Sequence, residues 1–161
     1  MKREDLVKRE DLVKLRTVED TREFGRRLAG LLRPGDLVLL TGPLGAGKTA
    51  LVQGIGAGLG VQGPITSPTF VIARVHRGPV PLVHADAYRL GERPDPRAEI
   101  DDLDLDASAD DAVTVVEWGA GLVEQLNDEY LRVRIDRLDD DTRVIDLVPH
   151  GGDWAHRLES M

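Results

Sequence analysis

Cysteine is absent from all 161 residues, so neither a disulfide nor a thiolate metal site is open to this chain. Basic residues are in the minority. Lys and Arg number 21 against 29 Asp and Glu, for a formal net charge of -8. Attraction to phosphate backbones needs a basic surface, so this balance argues against an autonomous nucleic-acid binder and against DNA as a partner. Local basic patches stay possible. No apolar run approaches the length of a membrane span, and the N-terminal MKREDLVKRE lacks the apolar stretch of a signal peptide. Missing cysteine does not fix a compartment; with no span and no leader, the expectation is a cytoplasmic protein without a membrane partner.

What is present suits one globular domain. Apolar residues make up 41% and charged residues 31%, and the length gives one real core rather than two. A direct repeat of KREDLV occupies 2–7 and 8–13. It is too short for a solenoid unit and reads as a mobile, helix-prone extension. Thr17 with Asp20 three residues on resembles a capping box. Phe24, Leu28 and Leu31 then fall on one helix face, and Pro34-Gly35 closes the helix. LVLLT (37–41) reads as a strand buried on both faces. Lys48 to Leu59 suits a helix stopped by Gly60, with Gly54, Gly56 and Gly58 spaced for close packing on a sheet. TFVIARV and VPLVHADAY flank HRGP as a hairpin, VTVVEW (113–118) is a second buried strand, and GAGLVEQLN is a short helix. YLRVRIDRL and TRVIDLV pair around DDD as a second hairpin. Acids crowd 91–111, where a loop and short helix are expected. The polar stretch after Pro149 reads as a frayed tail. Helices between the early strands and hairpins later give an α/β domain with a mixed, mainly parallel central sheet and β-hairpin additions.

The chemistry concentrates in TGPLGAGKT. Gly42, Pro43, Leu44, Gly45, Ala46, Gly47, Lys48 and Thr49 spell G-x-x-x-x-G-K-[ST], between a buried strand and a helix. Glycines let backbone N–H groups turn toward phosphate oxygens without a Cβ in the way. The helix start aims free N–H groups and its positive end at the same anion. Lys48 is placed to reach the β- and γ-phosphates, and the Thr49 hydroxyl to ligate Mg²⁺. The competing reading is a glycine-rich turn with a solvated lysine; the flanking strand and helix weigh against it.

Magnesium needs further oxygens, and two acids end apolar strands: Asp86 after VPLVHA and Glu117 after VTVV. Open α/β sheets bind ligands at such strand ends. Asp86 is read as holding the metal's water shell, Glu117 as contacting the metal and positioning the attacking water. How the two divide the work stays open. Thr66, Ser67, Pro68 and Thr69 precede the strand leading to Asp86, in the manner of a switch loop sensing a γ-phosphate. An ordinary turn explains them too. His84 shares a strand face with Asp86; a structural or supporting role outweighs metal ligation, since His76, His150 and His156 show no ligand spacing. Trp118 is either core or a shield for the site. Arg132 and Arg134 read as a solvated strand face.

Three activities compete. A small-molecule kinase normally closes a basic lid over the phosphates; the acidic 91–111 stretch, with only Arg93 and Arg97, would repel a triphosphate. A GTPase is disfavoured, because guanine is usually read by N-K-x-D and the single asparagine, Asn127, is followed by Asp128. A non-enzymatic reading, a nucleotide-gated binding module in which hydrolysis is dispensable, stays open.

TGPLGAGKT, TSPTF, HADAYRL and VEW, in this order and at these distances, resemble the TsaE (YjeE) family, P-loop ATPases of threonylcarbamoyladenosine (t6A) modification of tRNA. The resemblance covers roughly Thr17 to Val148. It implies a single-domain, three-layer P-loop NTPase-like fold over 17–149, flanked by an extension at 1–16 and a tail at 150–161. It implies ATP on Gly42–Thr49, Mg²⁺ on Thr49 and Glu117, Asp86 as the Walker-B-like acid, adenine near Thr17 and Thr21, and Thr66–Phe70 as the switch. It implies an accessory ATPase, weak alone and not the threonylcarbamoyl transferase, that docks on TsaB–TsaD homologues and meets tRNA indirectly. The stretch 91–112 is more acidic and less apolar than the family pattern leads one to expect.

Overall fold

The computed structural model describes residues 12–43, 45–61, 63, 65, 73–86, 111–117 and 128–161, the side chains of Ala73 and Asp86 excepted. These form β1 (Val13–Leu15), α1 (Val18–Ala29), β2 (Leu37–Thr41), α2 (Lys48–Leu59), β3 (Ala73–His76), β4 (Leu82–Asp86), β5 (Val113–Glu117), β6 (Tyr130–Arg137), β7 (Arg143–His150) and α3 (Trp154–Leu158). The strands make one sheet in the order β1-β7-β6-β2-β5-β4-β3. The central run β6, β2, β5, β4 is parallel. β7 and β3 run against their neighbours, and β1, antiparallel to β7, again points with the centre. Five of the seven strands thus share one direction.

Central position explains composition. Leu37 to Leu40 and all of Val113–Glu117 are buried, as strands covered on both faces must be. The register puts Val38, Leu40, Val115, Glu117, Leu82 and His84 on one face. That face meets Phe24, Leu28, Leu51, Val52 and Ile55 of the two long helices in a single core. The β3–β4 and β6–β7 hairpins form as the sequence predicts.

The Thr17 hydroxyl caps α1 by accepting from the Asp20 N–H at 3.0 Å, worth about 1 kcal/mol for such a cap. The helix stops at Ala29, a turn before Pro34-Gly35. The close packing expected of the α2 glycines is made chiefly with α1 and not with the sheet. A Cβ on Gly54 would lie 2.0 Å from the Arg22 carbonyl oxygen, one on Gly58 2.6 Å from Ala29 Cβ, and one on Gly25 of α1 2.4 Å from the Leu51 oxygen. Only Gly56 looks elsewhere, toward Ile65 and Leu82.

Both chain ends differ from expectation. Val13, the last residue of the repeat, opens β1, an edge strand over Val13–Leu15, where the sequence reading extends a mobile or helical segment to residue 16; the repeat up to residue 11 lies outside the described residues. The C-terminal stretch, read as frayed, carries α3. Trp154 is buried there, and Arg157 forms a two-pronged ion pair with buried Asp36 at 2.6 and 3.1 Å. The Arg157 guanidinium also lies 4.1 Å from the Trp154 ring centroid. The helix expected over GAGLVEQLN and the loop and helix over 91–110 lie outside the described residues.

Candidate phosphate-binding site

The loop after β2 is held in conformations that only glycine adopts freely. Gly42, Gly45 and Gly47 have φ of 149°, 80° and 106°. At Gly42 a Cβ would also lie 2.1 Å from the Ile135 carbonyl oxygen of β6, so the loop leaves the sheet pressed on its neighbour. Ala46 is buried and its N–H closes a turn on the Pro43 oxygen at 3.1 Å. Gly47 is the N-cap of α2 and brings no side chain to the helix end. The first N–H groups of α2 therefore face the concave side of the loop, uncapped by any side chain.

Lys48 opens α2 and is buried, 7% exposed. Its ammonium donates to the Gly42 oxygen at 2.6 Å and the Pro43 oxygen at 3.3 Å. Burial pulls its pKa below 10.5; the nearby Glu117 carboxylate pushes the other way and only partly compensates. The cation is thus poorly hydrated and held over the loop, as a group that neutralises phosphate must be. Thr49, half-buried, follows on the first turn.

The two strand-end acids occupy paired backbone positions. Asp86 and Glu117 are register partners at the C-terminal ends of parallel β4 and β5. Glu117 is 6% exposed and its carboxylate accepts a 2.6 Å hydrogen bond from His84 Nε2. The Asp86 carboxylate lies outside the described residues, as do Leu44, Thr66, Ser67, Pro68, Thr69, Phe70 and Trp118. Thr17 is exposed at the start of α1, while Thr21 is buried and donates to the Thr17 oxygen at 3.3 Å.

Two arginines on the outer wall escape sequence reading. Arg143 Nε lies 3.2 Å from where a Gly47 Cβ would stand, and an Arg137 nitrogen 3.8 Å from the Gly45 position. Both belong to the β6–β7 hairpin, and only the folded register carries them to the loop. Leu15 pairs with Arg143, so the chain entering Thr17 passes beside the same wall. A cleft of about 730 Å³ lined by Lys14, Arg16, Leu138, Asp140 and Thr142 adjoins it. Arg132, expected on a solvated face, is instead half-buried with an unpartnered Nε among the described residues. Arg134 is exposed and bonds Asp136 at 2.9 Å.

The residues fit a nucleotide phosphate chain with Mg²⁺. The glycine loop leaves room that a Cβ would take, the helix start offers N–H donors, Lys48 supplies charge, and Thr49 and Glu117 bear the hard oxygens that would hold the ion. No three His, Asp or Glu side chains cluster among the described residues to hold an ion alone. No helix of the described residues is long and apolar enough to cross a membrane.

Comparison with known proteins gives the family and the fold. The family model for "Threonylcarbamoyl adenosine biosynthesis protein TsaE" matches residues 15–145. The tRNA threonylcarbamoyladenosine biosynthesis protein TsaE of Streptomyces coelicolor is 58% identical over 142 residues, covering 83% of this chain and 93% of its own. The protein of that name from Bacillus subtilis is 37% identical over 153 residues, covering 92% and 93%. The crystal structure of Bacillus subtilis YdiB superposes with a TM-score of 0.73 at 31% identity, over 92% of this chain and 91% of that one.

Proposed function

The chain belongs to the TsaE family of tRNA threonylcarbamoyladenosine biosynthesis proteins, and from that premise we propose that it binds ATP with Mg²⁺ on Gly42–Thr49 and hydrolyses it as an accessory to t6A formation. The observation that supports this most is the buried Lys48 ammonium over a loop of three positive-φ glycines, facing a strand end that bears Glu117. The loop N–H groups and Lys48 bind and orient the triphosphate. Thr49 and Glu117 would hold Mg²⁺, which when bound draws off negative charge from the phosphates. Glu117, acceptor-only when ionised, orients the water that attacks the γ-phosphorus, and ADP leaves as the β–γ bond breaks. Asp86, at the adjacent strand end, would support the metal's water shell. Thr66–Thr69 sense the γ-phosphate as a switch. Adenine lies on the Thr17–Thr21 side, beside the Arg16 cleft.

The protein is not the threonylcarbamoyl transferase. It works on homologues of TsaB and TsaD and meets tRNA through them, in keeping with its acidic balance. Such a partner completes a site that is slow alone, as P-loop enzymes helped in trans are. The test is t6A formation over many turnovers with TsaB–TsaD and tRNA, using wild type and Glu117→Gln. The expected result is a rise in ATPase on adding TsaB–TsaD, with Glu117→Gln binding ATP but losing both hydrolysis and sustained t6A formation. Full t6A formation by a hydrolysis-dead variant would make occupancy, not turnover, the output.

A further inference from the structure

His84 has no task in the reading above, yet its imidazole is fully buried beside Glu117. It stands on β4 opposite Val115, two residues before the Asp86–Glu117 register pair. Leu82 and Val115 beside it are likewise fully buried. A leucine would fill that space without polar atoms. The imidazole instead leaves Nδ1 buried with no hydrogen-bond partner among the described residues, while Nε2 bonds Glu117 Oε2 at 2.6 Å. A buried N–H without an acceptor costs more than a bare lone pair, so the proton belongs on Nε2, facing the carboxylate.

Glu117 has three rotatable bonds and a cation nearby, since its charge acts on Lys48. Left alone, the carboxylate would be drawn toward that ammonium. The bond from His84 occupies Oε2 and pins the group to the sheet, leaving Oε1 to accept from water or to face a metal. We infer that His84 is a positioning residue: its Nε2–H holds the Glu117 carboxylate in the orientation that hydrolysis requires. This rests on the ATPase reading above, because only there does the direction of Glu117 matter.

Two substitutions separate this role from packing. In His84→Gln the amide nitrogen reaches about as far as Nε2; in His84→Asn it reaches only about as far as Nδ1 and falls short of Glu117. The experiment measures kcat and KM for ATP, half-saturation by Mg²⁺, and ATP affinity without metal, on the full chain with TsaB–TsaD present. His84→Asn should lose about 10–100-fold in kcat, as removal of a hydrogen-bonded support of a metal ligand does. It should need several-fold more Mg²⁺ while KM and metal-free ATP affinity stay within about twofold. His84→Gln should recover to within about threefold of wild type, and His84→Asn should add almost nothing in a Glu117→Gln background. Wild-type kinetics in His84→Asn, or Gln and Asn equally impaired with metal-free affinity lost as well, would overturn the inference while leaving the ATPase reading intact. A wild type that neither binds nor hydrolyses ATP would overturn that reading and this one together.

Discussion

Lys48 lies between two opposed influences, burial that disfavours its charge and a carboxylate that favours it, and burial is the larger. That order has a measurable consequence. In the free protein the ammonium's pKa is below 10.5; phosphate oxygens at 3 Å or so would raise it. Binding therefore takes up a proton once pH exceeds the free-protein pKa. ATP affinity should be flat near neutrality, then fall by up to about tenfold per pH unit on the alkaline side, starting below 10.5. Calorimetric titrations in buffers of different ionisation enthalpy check this through the proton uptake. The Gly42–Thr49 spacing makes this site legible in the sequence, because glycine φ requirements and the strand–loop–helix order are local. Arg137, Arg143 and the His84–Glu117 bond were not legible, since each depends on which strands become neighbours.

Elements of this fold are fixed more by contact than by propensity. α2 contains three interior glycines and would be a poor helix alone; it stands because α1 lies backbone-close along Gly25, Gly54 and Gly58. A sequence pattern shows that small residues recur but not which surface they serve, hence the mistaken assignment to the sheet. α3 spans five residues, too few for periodicity to register. Its anchor is Arg157, whose pKa is raised chiefly by the hydrogen bonds it donates to Asp36, across 121 positions of sequence. Both side chains are about nine-tenths buried. Arg157→Ala would leave the Asp36 carboxylate buried with, among the described residues, only the Arg33 N–H, at 2.6 Å, still donating to it. The expected cost is about 3 kcal/mol, read as a lower urea midpoint with unchanged m-value. Asp36→Asn combined with Arg157→Ala should cost less than the sum of the single changes.

Across the whole molecule, sheet order does what no single element can. β2 lies between β5 and β6, so the loop leaving β2 opens toward the Glu117 strand end on one side and is walled by Ile135, Arg137 and Arg143 on the other. Ligands of open α/β sheets bind at such carboxyl ends. The α/β class and both hairpins were readable from alternation and turn residues. β1 was not, because VKL after a charged repeat carries no strand pattern and pairs only as an edge. The account stands on the glycine loop and Lys48 gripping a nucleotide triphosphate, and titration of wild type and Lys48→Ala with MgATP and MgGTP tests that most directly. Wild type should saturate with ATP in preference to GTP, and Lys48→Ala, with its melting profile intact, should show no binding. A folded Lys48→Ala that binds MgATP as wild type does, or a wild type that binds neither nucleotide, would contradict it.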